Sequence, residues 1–245
     1  MKRPVVLMVI FASGWVVLGA SAGALEGPSI RYLPLDAPAG ISQAVIVDDM
    51  PLVHTRQLLP VDREGNLVGE DSAQQQIEQV LDNLEGVLKD CGSGMDMLVR
   101  VHVYALSPAT VDSFREQLAK RLGQKVRPAM TAVVTPLPHR KALVAVNAVA
   151  GANYRDRELM LKRCSSVAGN SRCADVAVMP NVPNSGIVYL SGQPDEGGLT
   201  ASAVSRAMST LMGNLKRLNL SPMDVVQVKV FLRLMTSAGE VLREV

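Results

Sequence analysis

The sequence predicts an α+β fold: a ββαβαββ sandwich present as two tandem units. Three observations predict it. The chain repeats itself: TRQLLPVDREGNLV at 55–68 and SGQPDEGGLT at 191–200 each precede a helical stretch and then a strand-like run. Gln57 matches Gln193, Asn83-Leu84 matches Asn214-Leu215, and Met95-Asp96 matches Met223-Asp224, at offsets that shrink from 136 to 131 to 128. Self-similarity on this scale marks a duplicated structural unit with shorter loops in the second copy. Second, the apolar pattern switches between period 2 and period 3.6 along each copy. Third, 48% of residues are apolar and 20% charged, enough to build packed cores.

In order along the chain, Gly27–Ala44 is loop-like, with a short lead-in strand at Ser29–Leu33. Ala44–Val47 and Leu52–Gln57 flank the turn signal Asp48-Asp49-Met50-Pro51 and read as two short antiparallel strands. Ser72, with Gln75 three residues on, resembles a capping box. Ile77, Val80, Leu81, Leu84 and Leu88 then follow the helical period until Gly92. Met95–Tyr104 alternates as a strand. Ser107-Pro108 opens a second helix, a cap residue followed by proline at the first helical position, with Val111, Phe114 and Leu118 as its stripe and Gly123 as its end. Thr131–Val134 and Ala142–Ala150 are two further strands. Both faces of the last are apolar, so the helix-free face is expected to pack on another unit.

These elements make residues 41–150 the first unit and 151–175 a linker, with a short charged helix in Asn153–Arg163. Residues 176–245 form the second, incomplete unit, with a strand at Ile187–Ser191, a helix carrying Val204, Met208, Leu211, Leu215 and Leu218, and a strand at Val225–Leu232. The stretch equivalent to Gly123–Ala150 is absent from it, which predicts a fragment or truncated chain, since missing strands leave an open sheet edge.

Residues 1–24 have Lys2 and Arg3, an apolar run Val5–Leu18 and small residues at Ala20-Ser21-Ala22, and read as a secretory signal peptide. An uncleaved anchor is the alternative, because the run is nearly long enough to span. Export to the periplasm or outside is therefore expected, with no stable membrane embedding after cleavage. Without Lys2 and Arg3 the 25 basic residues fall to 23, equal to the 23 acidic ones. That balance argues against nucleic acid as a partner. In an exported chain, Cys164 and Cys173 bracket a loop suited to a disulfide; two free thiols in a linker are the other reading. Cys91 reads as a small residue at a helix end. No metal site is expected, because His102 and His139 lack acidic or sulfur partners at ligand spacing. No cofactor motif is present either.

TRQLLPVDREGNLV, the helix with Asn83-Leu84, the strand at Met95–Tyr104 and Pro128-Ala129-Met130-Thr131 running to Leu137-Pro138 resemble the RidA (YjgF) family, and SGQP in the second copy is closer still to its signature. The resemblance implies a chorismate-mutase-like fold assembling as a homo-oligomer, a trimer, with small-molecule pockets in the clefts between units. It also implies hydrolysis of enamines and imines to ketoacids and ammonia. In the best-known members an arginine in the segment matched by Pro128–Thr131 grips the substrate carboxylate and a glutamate on the last strand positions water. Bidentate guanidinium–carboxylate pairing and carboxylate-guided water attack make physical sense of both.

This chain departs from the pattern. Met130 stands at the arginine position, Asn147 at the glutamate position, and Arg56 where the signature has the glycine that Gly192 retains after Ser191 in the second copy. Met130 cannot pair with a carboxylate, and Asn147 cannot take a proton near neutral pH. Arg127, three residues before Met130, faces the other side of an extended segment. Arg56 either reaches into the cleft as a substitute cation or points to solvent, and His54 shares its face by alternation. The expected ligand-binding set is thus Arg56, His54, Met130, Thr131 and Asn147, with Ser191 and Gly192 in the second copy. The expected function is small-metabolite binding without classical imine hydrolysis. The alternatives are an imine deaminase or a purely structural role.

Overall fold

In the computed structural model, residues 29–34, 37–169, 173–182 and 201–225 are described. They form a mixed α+β fold. Strands β1 (Ser29–Leu33) and β2 (Ala44–Asp48) pair antiparallel as a separate ribbon. The main sheet contains β3 (Leu52–Thr55), β4 (Leu98–Ala105), β5 (Ala129–Val134), β6 (Val144–Gly151), β7 (Met160–Lys162) and β8 (Val176–Met179), in the spatial order β5-β4-β6-β3-β8-β7. The described helices are α1 (Ala73–Asp90), α2 (Pro108–Leu122) and α3 (Ala201–Arg217).

Local chemistry places both central helices. The Ser72 hydroxyl accepts from the Gln75 amide at 3.3 Å, satisfying one of the unpaired N–H groups at the start of α1. The helix ends where Gly92 takes φ +70 and lets the Ser93 amide return to the Leu88 carbonyl at 3.0 Å. Ser107 caps α2 through the Thr110 amide at 3.2 Å, and Pro108 sits where its missing N–H costs nothing. β4 and β5 pair in parallel, so α2 is the crossover such a pair requires. Ile77, Val80, Leu84 and Leu88 of α1 and Phe114 and Leu118 of α2 are all fully buried against Val101, Val103, Val144 and Val146 of the sheet. Each such side chain stabilises the fold by about 1.5–3 kcal/mol. Both α1 and α2 lie on this side, which leaves the opposite sheet face free of them.

The structure revises several expectations. The strands flanking Asp48–Pro51 do not form a hairpin. β2 pairs back on β1, while β3 inserts between β6 and β8. Asp49, at φ +43, turns the chain from the ribbon into the sheet. Gly151 lies where the two meet, and a Cβ there would lie 2.6 Å from the movable end of Met50, Cε. Met95–Met97 is a 3-10 turn, not strand, and β4 begins at Leu98. Within the segment expected to hold a charged helix, Met160–Lys162 is a strand. Val176–Met179, expected to open a second unit, pairs antiparallel with β3 in the same six-stranded sheet. The Cys164–Cys173 disulfide is not formed. All three cysteines are free, with Cys173 exposed and Cys164 buried in the main core. The expected strands at Ile187–Ser191 and Val225–Leu232 and the signal segment at 1–24 lie outside the described residues, Val225 apart.

Candidate functional site

Because Val101 and Val103 of β4 and Val144, Val146 and Ala148 of β6 face the helices, the residues between them face the other way. That helix-free face carries Arg100, His102 and Tyr104 from β4 and Ala145, Asn147 and Val149 from β6. A register shift between Leu98 and Arg100 sets this phase. The extra residue sends Leu98 into the helix-side core, while Arg100 stays in alternation with His102 on the open side. Strict alternation would have put Leu98 and Arg100 together.

The register then assembles the site. His102 stands opposite Asn147 on one side and Thr131 on the other, so Thr131, His102 and Asn147 form one row across three strands. In the next row Arg100 stands opposite Val149, which in turn stands opposite His54. Asn147 is 8% exposed, and its amide donates to the Tyr104 hydroxyl at 3.3 Å. Tyr104 belongs to a small second apolar cluster with Leu137, Ala142 and Ala145. The patch is therefore apolar at one end, hydrogen-bonding in the middle and cationic at the other, where Arg100 is exposed. Strands β3 to β6 contain no aspartate or glutamate, so none contributes a carboxylate to this face.

His54, Thr131 and Asn147 are thus brought to one surface. Met130 is not. It neighbours Thr131 on an extended strand, so it points the other way and packs on the helix-side core. Arg56 is drawn elsewhere too. Its Nε donates to Asp175 Oδ1 at 2.5 Å, and its terminal nitrogens donate to the Gln57 carbonyl at 3.0 Å and the Ala168 carbonyl at 3.2 Å. Asp175 is fully buried, and its other oxygen accepts from the Cys164 amide at 2.8 Å. The charge expected to meet a ligand instead neutralises a carboxylate of the chain itself. Arg127 bonds its own loop through the Gln124 carbonyl at 3.3 Å. Ser191 and Gly192 lie outside the described residues.

Arg100 is the residue that sequence reasoning missed. It lies outside the aligned motif positions, and its signal in the sequence is alternation with His102. Among the described residues, no group of three His, Cys, Asp or Glu side chains is placed to hold a metal ion, and no helix is long and apolar enough to cross a membrane.

Residues 34–152 match the family model described as Endoribonuclease L-PSP. Solved structures similar to the chain include YyfB of the conserved Rid protein family from Yersinia pestis, at 24% identity over 50% of this chain and 98% of that one, with a TM-score of 0.45. A Thermotoga maritima protein is 29% identical over 51% of this chain and 98% of its own, with a TM-score of 0.38. NMB1025 of the YjgF family from Neisseria meningitidis is 20% identical over 52% and 97%, with a TM-score of 0.37. No curated protein matches the sequence.

Proposed function

We propose that the helix-free face around Asn147 binds a small anionic metabolite and does not hydrolyse imines by the carboxylate-guided route. The observation that carries this reading is the composition of the face. It offers an exposed guanidinium at Arg100, and amide, hydroxyl and imidazole groups at Asn147, Thr131, Tyr104 and His102. Among the described residues, strands β3 to β6 give it no carboxylate to guide a water. A guanidinium one register step from hydrogen-bonding side chains suits a carboxylate-bearing ligand. An apolar cluster at the other end suits its carbon skeleton. The match of residues 34–152 to the L-PSP family model supports a small-molecule role.

The same reading has the chain exported and assembled as a trimer-type homo-oligomer, whose partner units cover the face and complete the cleft. It also keeps the tandem arrangement. α3 is followed by a Ser221-capped turn at Pro222–Asp224, as α1 is followed by the turn Met95–Met97. Imine hydrolysis is the second reading, and one observation favours it: the register partner of Asn147 is His102, an imidazole, the side chain most often used as a general base.

The test has two arms. Ligand-observed NMR with pyruvate and 2-oxobutyrate is expected to show binding that Arg100→Ala removes. A coupled assay for ammonia from freshly generated 2-iminopropionate is expected to show no turnover above background. Turnover lost in His102→Ala, or binding untouched by Arg100→Ala, overturns the proposal.

A further inference from the structure

The segment after β7 is strapped across the last turn of α1. Lys162 Nζ bonds the Asp90 carbonyl, and the Ser166 amide donates to Asp90 Oδ2 at 3.2 Å. The approach is close, since a Cβ on Gly86 would lie 2.7 Å from Ser166 Cβ. On its other side the strap is held by Asp175, which accepts from the Cys164 amide while paired with Arg56.

This places two cysteines together. Cys164 Sγ donates to the Val87 carbonyl at 3.9 Å, one helical turn before Cys91, so the strap's thiol sits at the end of α1 that carries Cys91. In a regular helix the Val87 carbonyl would accept from the Cys91 amide. That amide instead turns to the Leu88 carbonyl at 3.0 Å, leaving Val87 to face the sulfur. Both thiols are buried, at 5% and 6% exposure, in the same core cluster. The neighbouring Cys164 side chain holds the Cys91 thiol below its ordinary range, and the neighbouring Cys91, together with burial, pushes Cys164 up. One sulfur of the pair is thereby favoured as the attacking thiolate.

We infer that Cys91 and Cys164 are an oxidisable pair that closes into a disulfide, stapling the C-terminal turn of α1 to the strap that precedes β8. The oxidant is a small-molecule disulfide. Cys91 gives up its proton, and its sulfur attacks one sulfur of the oxidant. The oxidant's S–S bond breaks, and its other half leaves as a thiolate that takes up a proton. Cys164 then gives up its proton and attacks the Cys91 sulfur of the mixed disulfide, releasing the second half as a thiol. The two protein thiols lose two electrons and two protons, and the oxidant becomes two thiols. The closed loop, residues 91–164, contains β4, α2, β5, β6 and β7, so the bond braces the frame of the helix-free face without touching its side chains.

The experiment uses the full chain, equilibrated folded and also refolded from urea, in oxidised and reduced glutathione. Free thiols are then blocked with N-ethylmaleimide and the peptides mapped by mass. The expected result is a Cys91–Cys164 link with Cys173 alkylated. Cys173→Ser should retain the link, and Cys91→Ala and Cys164→Ala should each lose it. The oxidised wild type should melt roughly 5–15 °C above the reduced form, an increase missing in Cys91→Ala. A Cys164–Cys173 link, or three alkylated cysteines at high oxidised glutathione under both regimes, overturns the inference. Mapping of the wild type decides even if a variant fails to fold.

Discussion

Replacing Arg56 with methionine keeps an apolar stem of similar length and removes the guanidinium from a fully buried carboxylate. Asp175 is 0% exposed and Arg56 26% exposed. The variant loses the 2.5 Å charge-assisted bond and the bonds to the Gln57 and Ala168 carbonyls, while Asp175 keeps only the Cys164 amide as a side-chain partner among the bonds described. Stripping the partner from a buried ion costs about 3–5 kcal/mol. The partial exposure of Arg56 lets water approach the vacated position, which puts the expected cost near the lower end, about 3 kcal/mol. For a chain of this size that is a fall in melting temperature of roughly 6–12 °C. Urea unfolding followed by circular dichroism gives the free energy directly. Adding Asp175→Asn, which removes the charge but keeps an oxygen for the Cys164 amide, should recover at least ~1.5 kcal/mol of the loss in a double-mutant cycle. A single-variant cost under ~1 kcal/mol, or a strictly additive double variant, refutes the reasoning. The variant also separates two roles: a structural Arg56 lowers stability and leaves ligand binding per folded molecule intact, whereas a ligand-gripping Arg56 does the reverse.

Two further outcomes follow from the packing. Gln76 is fully buried, donating to the Gly69 and Lys141 carbonyls at 3.0 Å each and accepting from the Leu143 amide at 2.7 Å. Gln76→Leu should therefore cost about 3 kcal/mol in urea unfolding by orphaning several buried groups, and it should speed hydrogen exchange at the Leu143 amide; a cost near zero would contradict the network. Burial, and secondarily the charge of Asp96, pushes the Tyr32 phenol up to about 12 from 10.0, while its hydroxyl donates to the Leu98 carbonyl at 2.8 Å. The folded state therefore holds this proton more tightly than the unfolded chain. Its contribution is fully present below pH 10 and is lost as pH rises from 10 to about 12. Tyr32→Phe should flatten that alkaline decline, measured by denaturation across the range, and should remove one phenolate that ionises near pH 12 from an ultraviolet titration.

Much of the fold was legible because it is locally encoded. Ser72 and Ser107 carry their own capping oxygens, Pro108 presets the first helical turn, Gly92 and Gly123 supply the positive φ that ends each helix, and the stripes of α1 and α2 are written at the helical period. The alternation that set Thr131 and Asn147 on a sheet was equally plain. What the sequence could not decide were pairings between distant residues. Arg56 meets Asp175 across 119 positions, Cys164 reaches Cys91 rather than the nearer Cys173, and β3 chooses β6 and β8 over β2. A single bulge at the start of β4 sent Leu98 to the helix side, away from Arg100, and the parity of an extended strand put Met130 on the other side from Thr131. Local patterns determine which elements form, because their energetics are settled within a few residues. Which charge, thiol or strand edge finds which partner depends on three-dimensional packing, and that was decided only when the sheet closed against its helices.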